Sequence, residues 1–142
     1  MAQVAGALIK ATDFGFTGQE AVMGASYSVT TVQADIGLSV TFPTVLANQQ
    51  ALVYLNSNLQ CNTAVASRFM NLYCLVDGVA ETSTLPWLVN ANQNAARVPG
   101  FKSWRVTLVA VGSHTVKIQG QTGTTNGDFT VVGGDIIVVP CL

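Results

Sequence analysis

One histidine and seven carboxylates are the side chains of this sequence best suited to proton transfer. His114 follows a turn, and Asp77 with Glu81 is the closest pair of carboxylates along the chain. A glycosidase needs two carboxylates that face one cleft, whereas acids in turns mostly make local hydrogen bonds, and a lone histidine at the start of a strand fits the same structural role. We therefore expect a protein that is not an enzyme, and a hydrolase is the least favoured function.

The cysteines, at positions 61, 74 and 141, have no C-x-x-C spacing, and no second histidine accompanies them, so we expect neither a zinc site nor any other cofactor. The segments 112–115 and 120–127 match neither a nucleophile elbow nor a phosphate-binding loop. Free cysteine is among the most buried residue types, so we expect buried, reduced thiols. A Cys61–Cys74 bridge across adjacent strands is the alternative.

The composition describes one domain with a neutral surface. The chain has 142 residues, 49% of them hydrophobic, and 9% are charged, against about 25% in typical soluble proteins. A net charge of −1 and the lack of a basic cluster exclude nucleic acid as an expected partner. No apolar run reaches the 18 or more residues of a membrane span, and no basic leader precedes the first apolar patch. We expect synthesis in a cytoplasm and no membrane partner.

Residues 1–25 lack strand-like alternation and predict an extended N-terminal arm, with a short helical turn after Asp13 or around 19–23. Such an apolar arm packs on its own domain or reaches a neighbouring subunit or an assembly platform, and both possibilities stay open. The arm residues expected to make the attachment are Leu8, Ile9, Phe14 and Phe16.

From residue 26 onward the pattern is that of β-structure. Apolar residues alternate with polar ones over 36–42 and 51–59, and the strand 68–76 is apolar on both faces. Asp77-Gly78 predicts a tight turn, and Gly112-Ser113 predicts a hairpin between its flanking strands. About eight antiparallel strands are expected. The sequence thus predicts an all-β fold, a β-sandwich of the jelly-roll type over 26–142.

Residues 80–100 contain two prolines and an Asn/Gln/Ala stretch, which predicts the longest loop of the domain. Loops of that length are often contact loops. Trp87 in this segment is either a structural contact or a recognition residue that could stack on a sugar. Trp104 lies in an alternating strand and is expected in the core.

The C-terminal segment 127–140 is nearly uncharged and ends in the run Ile-Ile-Val-Val, with a bulge or bend expected at Gly133-Gly134. An uninterrupted aliphatic run indicates a strand covered on both faces. In a sandwich one face meets the opposing sheet, so the other needs a second partner. A neighbouring subunit is the expected partner, and the N-terminal arm is the alternative.

The strand 105–108, the segment 112–119 and the terminal strand 129–139 together resemble the ending of the trimeric jelly rolls of the tumour-necrosis-factor and C1q type found in tailed-bacteriophage virion proteins. The opening segment 5–14 resembles the leader of small phage structural proteins. The resemblance covers residues 26–142 for the domain. The sequence departs from that of fibre proteins because it shows no heptad or collagen-like stalk before the domain.

The resemblance implies a homotrimer whose subunits meet near a threefold axis through Phe69, Tyr73, Leu75, Ile137 and Val139. It implies a structural protein of the virion surface, made in a bacterial cytoplasm, that decorates and stabilises the phage head. Its partners would be other copies of itself and the major capsid protein or tail proteins. The alternative function is a tail-tip protein that binds a receptor or a host glycan through the 80–100 segment.

Overall fold

The computed structural model describes residues 18–44, 46–63, 68–89, 97–123 and 125–141. These residues form nine strands, and the described part of the chain contains no helix. The strands are β1 (Gln19–Val22), β2 (Tyr27–Ser28), β3 (Ala34–Thr44), β4 (Gln49–Cys61), β5 (Arg68–Val76), β6 (Val79–Val89), β7 (Arg97–Leu108), β8 (Gly112–Thr122) and β9 (Phe129–Pro140).

The strands form two antiparallel sheets. The five-stranded sheet has the order β1-β9-β4-β7, with β2 also paired to β9, and the four-stranded sheet has the order β3-β8-β5-β6. Strands β1 and β2 pair with successive parts of β9 and act as one interrupted strand. Two four-membered sheets with this crossing order are an eight-stranded jelly roll, so the predicted fold class is confirmed.

Strict alternation of side chains places the core between the sheets. In β4 every second residue from Gln49 to Cys61 is buried, and β3 and β8 show the same period. The fully buried aliphatic side chains of the two inner faces include Val53, Met70, Leu72, Val116, Ile118, Ile136 and Val138. Trp104 is 3% exposed, and its indole N–H donates to the Ser83 carbonyl at 2.6 Å, which confirms its predicted core position.

Two local predictions are wrong. The segment 80–100 is not a long loop, because β6 runs to Val89 and β7 begins at Arg97. Gly112-Ser113 does not close a hairpin, because β7 and β8 belong to opposite sheets. In a jelly roll this connection crosses from one sheet to the other, and its local sequence resembles that of a hairpin turn.

The expected helical turn at 19–23 is also wrong. Gln19–Val22 is a strand hydrogen-bonded to β9, so the sandwich includes residues that the sequence assigns to the arm. Strand β1 supplies hydrogen-bond partners for the backbone N–H and C=O groups along the outer edge of β9. The attachment residues Leu8, Ile9, Phe14 and Phe16 lie outside the described residues.

The predicted bulge in β9 is confirmed, and it changes which residues face the core. Val131 pairs with Leu59 and Gly133 pairs with Asn58, which leaves Val132 as the extra residue. Before the bulge Phe129 and Val131 are buried, and after it the buried residues are Ile136 and Val138. An inserted residue reverses the alternation of all that follows.

All three cysteines are free, and Cys61 and Cys74 are buried, as expected for reduced core thiols. The alternative bridge is not formed. Cys61 lies on β4 and Cys74 on β5, which are strands of different sheets and not neighbours. Burial, with a further contribution from nearby Glu81, raises the pKa of the Cys74 thiol to about 12, so this thiol stays protonated at neutral pH.

We predict opposite outcomes for alanine at the two adjacent glycines of the bulge. A Cβ on Gly134 would lie 2.6 Å from the backbone oxygen of Asn56, whereas a Cβ on Gly133 meets nothing within 4 Å. Gly134→Ala should lower the free energy of unfolding by about 1–3 kcal/mol, because β4 and β9 must move apart. Gly133→Ala, the matched control, should leave it within about 1 kcal/mol. Urea unfolding measures both, and equal effects would contradict the close-approach role of Gly134.

Candidate interaction surface

The outer face of the four-stranded sheet is largely satisfied by its own polar side chains. Thr41 and Thr115 share a hydrogen bond of 3.1 Å, and the Lys117 ammonium donates to Asp35 at 3.0 Å. The hydrogen bond from Gln119, with the Lys117 contact, holds the pKa of Asp35 below its usual value. This face therefore offers few polar groups that a partner could satisfy better than the chain does.

The outer face of the five-stranded sheet is different. Leu52 lies opposite Val139, and Tyr54 lies opposite Ile137, so four apolar side chains meet on β4 and β9. Tyr54 is 45% exposed, and Ile137 and Val139 are each 38% exposed. On the flanking strands Phe101 is 67% exposed and Val22 66%. We call these six residues, Val22, Leu52, Tyr54, Phe101, Ile137 and Val139, the apolar face.

A shallow groove of about 520 Å³ crosses the apolar face. Tyr54, Phe101 and Ile137 form its apolar walls, and Asn56 donates a hydrogen bond of 3.0 Å to Asp135 at its margin. A mostly apolar groove with a few polar groups is the usual character of a binding surface. The apolar face is therefore the strongest candidate site among the described residues.

The structure does not bring the five predicted trimer residues together. Phe69, Tyr73 and Leu75 lie on β5 in the four-stranded sheet, whereas Ile137 and Val139 lie on β9 in the opposite sheet. Leu75 is buried within the chain. The Tyr73 hydroxyl is hydrogen-bonded to Gln121 at 3.1 Å, which leaves Phe69 as the exposed apolar residue of that group. No single surface contains both groups.

Trp87, predicted in a recognition loop, lies in strand β6. Its ring is partly buried and packs edge-on against Phe129, with ring centroids 5.3 Å apart. The indole therefore contributes to the core margin. Whether its remaining exposed part recognises a ligand stays a prediction.

Four residues of the apolar face carry no site prediction in the sequence, namely Val22, Leu52, Tyr54 and Phe101. Tyr54 is on the outward side of its strand in the alternation pattern, so its exposure could be predicted. Phe101 could not be placed, because the preceding segment was assigned to a loop. Their proximity depends on the pairing of β4 with β7 and β9, which no local pattern specifies.

His114 has the expected structural role. It is buried, and its Nδ1 lies 2.6 Å from Asp77 Oδ2 while its Nε2 lies 2.9 Å from the Ala110 carbonyl oxygen. Asp77 Oδ1 accepts the Thr115 N–H at 2.8 Å. Both partners of the imidazole are acceptors, so the doubly protonated ring satisfies both contacts. The confirmed Asp77-Gly78 turn has positive φ angles of 50° and 86°, and it holds the carboxylate in place.

The contacts of His114 and Asp77 explain the direction in which the pKa of each group is shifted. The hydrogen bond to Asp77 raises the pKa of His114 above 6.5, against an opposing contribution from burial. Burial acts to raise the pKa of Asp77, but the hydrogen bonds from Thr115 and His114 outweigh it and hold the pKa below 3.8. Both Nδ1 and Nε2 are engaged, so His114 is poorly placed to act as a base. Among the described residues, no group of three or more His, Cys, Asp or Glu side chains could hold a metal ion.

Comparisons with solved structures show similarity in fold. The chain is similar to dimeric latent PorU from Porphyromonas gingivalis, with a TM-score of 0.50 and 14% identity over 98% of this chain and 14% of that one. It is also similar to infectious bursal disease virus Gx strain, with a TM-score of 0.49 and 13% identity over 87% and 33% of the two chains. The VP2 subviral particle of that virus gives a TM-score of 0.43 and 11% identity over 86% and 32%.

The chain thus spans far less than two thirds of the length of these proteins. At such low sequence identity the similarity shows a shared fold alone. The function of this chain must therefore be argued from its own candidate site. No protein-family model matches the chain, and no curated protein matches it. No helix in the described ranges is long and apolar enough to cross a membrane.

We predict that thermal stability depends on pH through His114. Because its folded pKa is raised, its contribution is complete below pH 6.5 and is lost as the pH rises through the folded pKa. The Asp77 contribution is present above pH 3.8 and is lost on acidification through its lowered pKa. The melting temperature should therefore fall as pH rises above 6.5 in the wild type.

In His114→Gln this decline should be absent, because the chain has no other histidine. Differential scanning calorimetry across the neutral range measures both proteins. An equal decline in the variant would assign the pH dependence to other groups and contradict the prediction.

Proposed function

We propose that the chain is a structural protein of the virion, a homotrimeric decoration protein that stabilises a phage head from its surface. The apolar face carries this proposal. It is a contiguous exposed surface on the two central strands of the five-stranded sheet, where a second copy can cover Leu52, Tyr54, Ile137 and Val139. The proposal keeps Ile137 and Val139 in the subunit interface and replaces the β5 residues by the neighbours on β4.

The whole outer surface of the five-stranded sheet, with the apolar face at its centre, has a size that suits an interface between subunits. Strand β4 has 13 residues, and at about 3.3 Å per residue and about 4.8 Å between strands the sheet presents roughly 800 Å². A standard interface buries about 800 Å² on each partner. The five-stranded sheet can therefore supply one complete subunit interface.

The composition and the fold support the same function. With 9% charged residues, the surface has few ions to desolvate when it meets another protein, so contact costs little in electrostatic free energy. Jelly rolls are common in viral capsids and in lectins, and the sequence resembles phage virion proteins of this type. The major capsid protein is the proposed partner, and the protein is made in the bacterial cytoplasm before it joins the particle.

The groove on the apolar face favours a second candidate function, carbohydrate binding at a tail tip. Tyr54 and Phe101 are exposed aromatic rings that line the same groove as Asn56, Ser103 and Asp135. Aromatic rings offer apolar platforms to the C–H faces of sugars, and amide, hydroxyl and carboxylate groups bind sugar hydroxyls. Assembly into trimers and sugar binding would both use the apolar face. Variants of that face can therefore be assayed for both properties in parallel.

We predict that Ile137→Lys converts the trimer to monomers. The ammonium must lose its hydration when the interface forms, and only Glu20, opposite it on β1, could partly compensate it; the cost should be about 3 kcal/mol, which is over a hundredfold in the dissociation constant. Phe69→Lys is the control, because Phe69 is exposed to a similar degree, 41% against 38%, on the opposite sheet. Sedimentation velocity measures the mass of each variant.

The wild type should also bind empty shells of the major capsid protein of its phage, with a fixed saturating stoichiometry that Ile137→Lys reduces. A monomeric wild type would overturn the trimer. If Phe69→Lys dissociates the trimer and Ile137→Lys does not, the interface lies on the four-stranded sheet.

For the second candidate, we predict that Tyr54→Ala weakens binding to any glycan found on an array by about fivefold or more, because about 1 kcal/mol of ring contact is lost. Trp87→Ala, with its fold verified by circular dichroism, should leave that affinity unchanged. The reverse result would place recognition at Trp87, and the absence of any bound glycan would remove the second candidate.

A further inference from the structure

A second groove, of about 330 Å³, lies at one end of the sandwich between the β5–β6 turn and the β7–β8 connection. We call it the end groove. Val79 and Val109 on its walls are 71% and 69% exposed, although both are aliphatic. The residues that define the end groove are Val76, Asp77, Val79, Glu81, Val109 and His114.

The wall that carries Val109 is held by hydrogen bonds. The Asn48 N–H donates to the Val109 carbonyl at 3.1 Å, and the Thr44 hydroxyl donates to the Ala110 carbonyl at 3.0 Å. The same Ala110 carbonyl accepts from His114. A groove whose walls are fixed before binding loses little conformational entropy when it is filled.

The end groove has two carboxylates, and only one of them is paired with a cation among the described residues. The Asp77 carboxylate is paired with His114. Glu81, also on the groove lining, makes no ion pair with any described residue. The end groove therefore suits a short aliphatic segment that carries one cation.

The first 17 residues of the chain contain such a segment. Leu8-Ile9-Lys10 joins two large aliphatic side chains to the only cation that precedes Arg68 in the sequence. The described chain begins at Gly18, beside Val139 near the end of β9. We propose that the segment Leu8–Lys10 docks in the end groove of its own chain, with the aliphatic side chains against Val79 and Val109 and the Lys10 ammonium at Glu81.

The distances allow this connection. Gly18 is in register with Arg105 across the five-stranded sheet, through Val139 and Leu52. Gly18 and Val109 are therefore separated by three strand spacings across the sheet and four residues along β7, a straight-line distance of about 20 Å. The chain from Lys10 to Gly18 spans up to about 28 Å when extended. Docking would also hold Phe14 and Phe16 at this end of the body, where they could contact the shell.

The end groove contains no residue of the apolar face, and docking of the segment is measured separately from the trimer. The direct path from Gly18 passes Val139 and Leu52 of the apolar face, so docking and subunit contact compete for those two residues. Disulfide trapping in the full-length chain tests the docking, in a Cys141→Ser background that removes the partly exposed thiol. One variant carries Ile9→Cys with Val109→Cys. The matched control carries Ile9→Cys with Arg105→Cys, because Arg105 is exposed on β7, lies nearer to Gly18 than Val109 does and does not line the end groove.

Under mild oxidation the first pair should give an intramolecular disulfide in about tenfold or greater excess over the control, because docking raises the local concentration of the two thiols. Lys10→Glu should lower that yield, and the charge swap Lys10→Glu with Glu81→Lys should restore it. Sedimentation of the same samples reports assembly separately, so a failure of the trimer leaves this readout intact.

Equal yields in the two pairs would overturn the inference. Disulfides that form between chains and not within them would overturn it in favour of a neighbouring copy as the source of the segment. A yield that the charge swap does not restore would contradict the pairing of Lys10 with Glu81.

Discussion

The bulge in β9 determines what the rest of this sandwich can present. If the alternation set by Phe129 and Val131 continued without the extra residue, Asp135 would point into the core and would lose its hydration. With Val132 inserted, Asp135 stays at the surface beside Asn56. The aliphatic residues of β9 are then divided between the core and the apolar face. The close approach of β4 that makes this register possible requires a residue without a side chain at Gly134.

That division gives the two outer faces different properties. The outer face of the four-stranded sheet pairs its own polar side chains, as in the contact of Lys117 with Asp35, and its exposed apolar pair, Phe69 opposite Leu88, lies between β5 and the edge strand β6. The five-stranded sheet has aliphatic and aromatic side chains at its centre, where charged residues could have been placed at no cost to the core. Exposed apolar side chains grouped on one outer face, in a chain with 9% charged residues, are typical of a surface that contacts another molecule.

Alternation predicted most strands, the inner faces and the jelly roll, because period-2 burial is a local property of the chain. Prediction from alternation failed where the structure depends on the position of a strand within its sheet. Pro86 and Pro99 suggested a loop, yet both lie in the edge strands β6 and β7, where proline need not donate a ladder hydrogen bond. The resemblance to trimeric jelly rolls also grouped Phe69 with Ile137 as residues of one subunit interface. Only the order of strands shows that they lie on opposite surfaces.

The end groove and the apolar face contain different residues. The His114–Asp77 pair forms one wall of the end groove and fixes the Ala110 carbonyl beside Val109. Loss of the proton from His114 would leave Asp77 as a second uncompensated carboxylate beside Glu81 and would release one tether of the Val109 wall. The first effect strengthens the attraction for a cation, and the second loosens the aliphatic contact. Any occupant held by both forces therefore experiences two opposing effects as the pH rises.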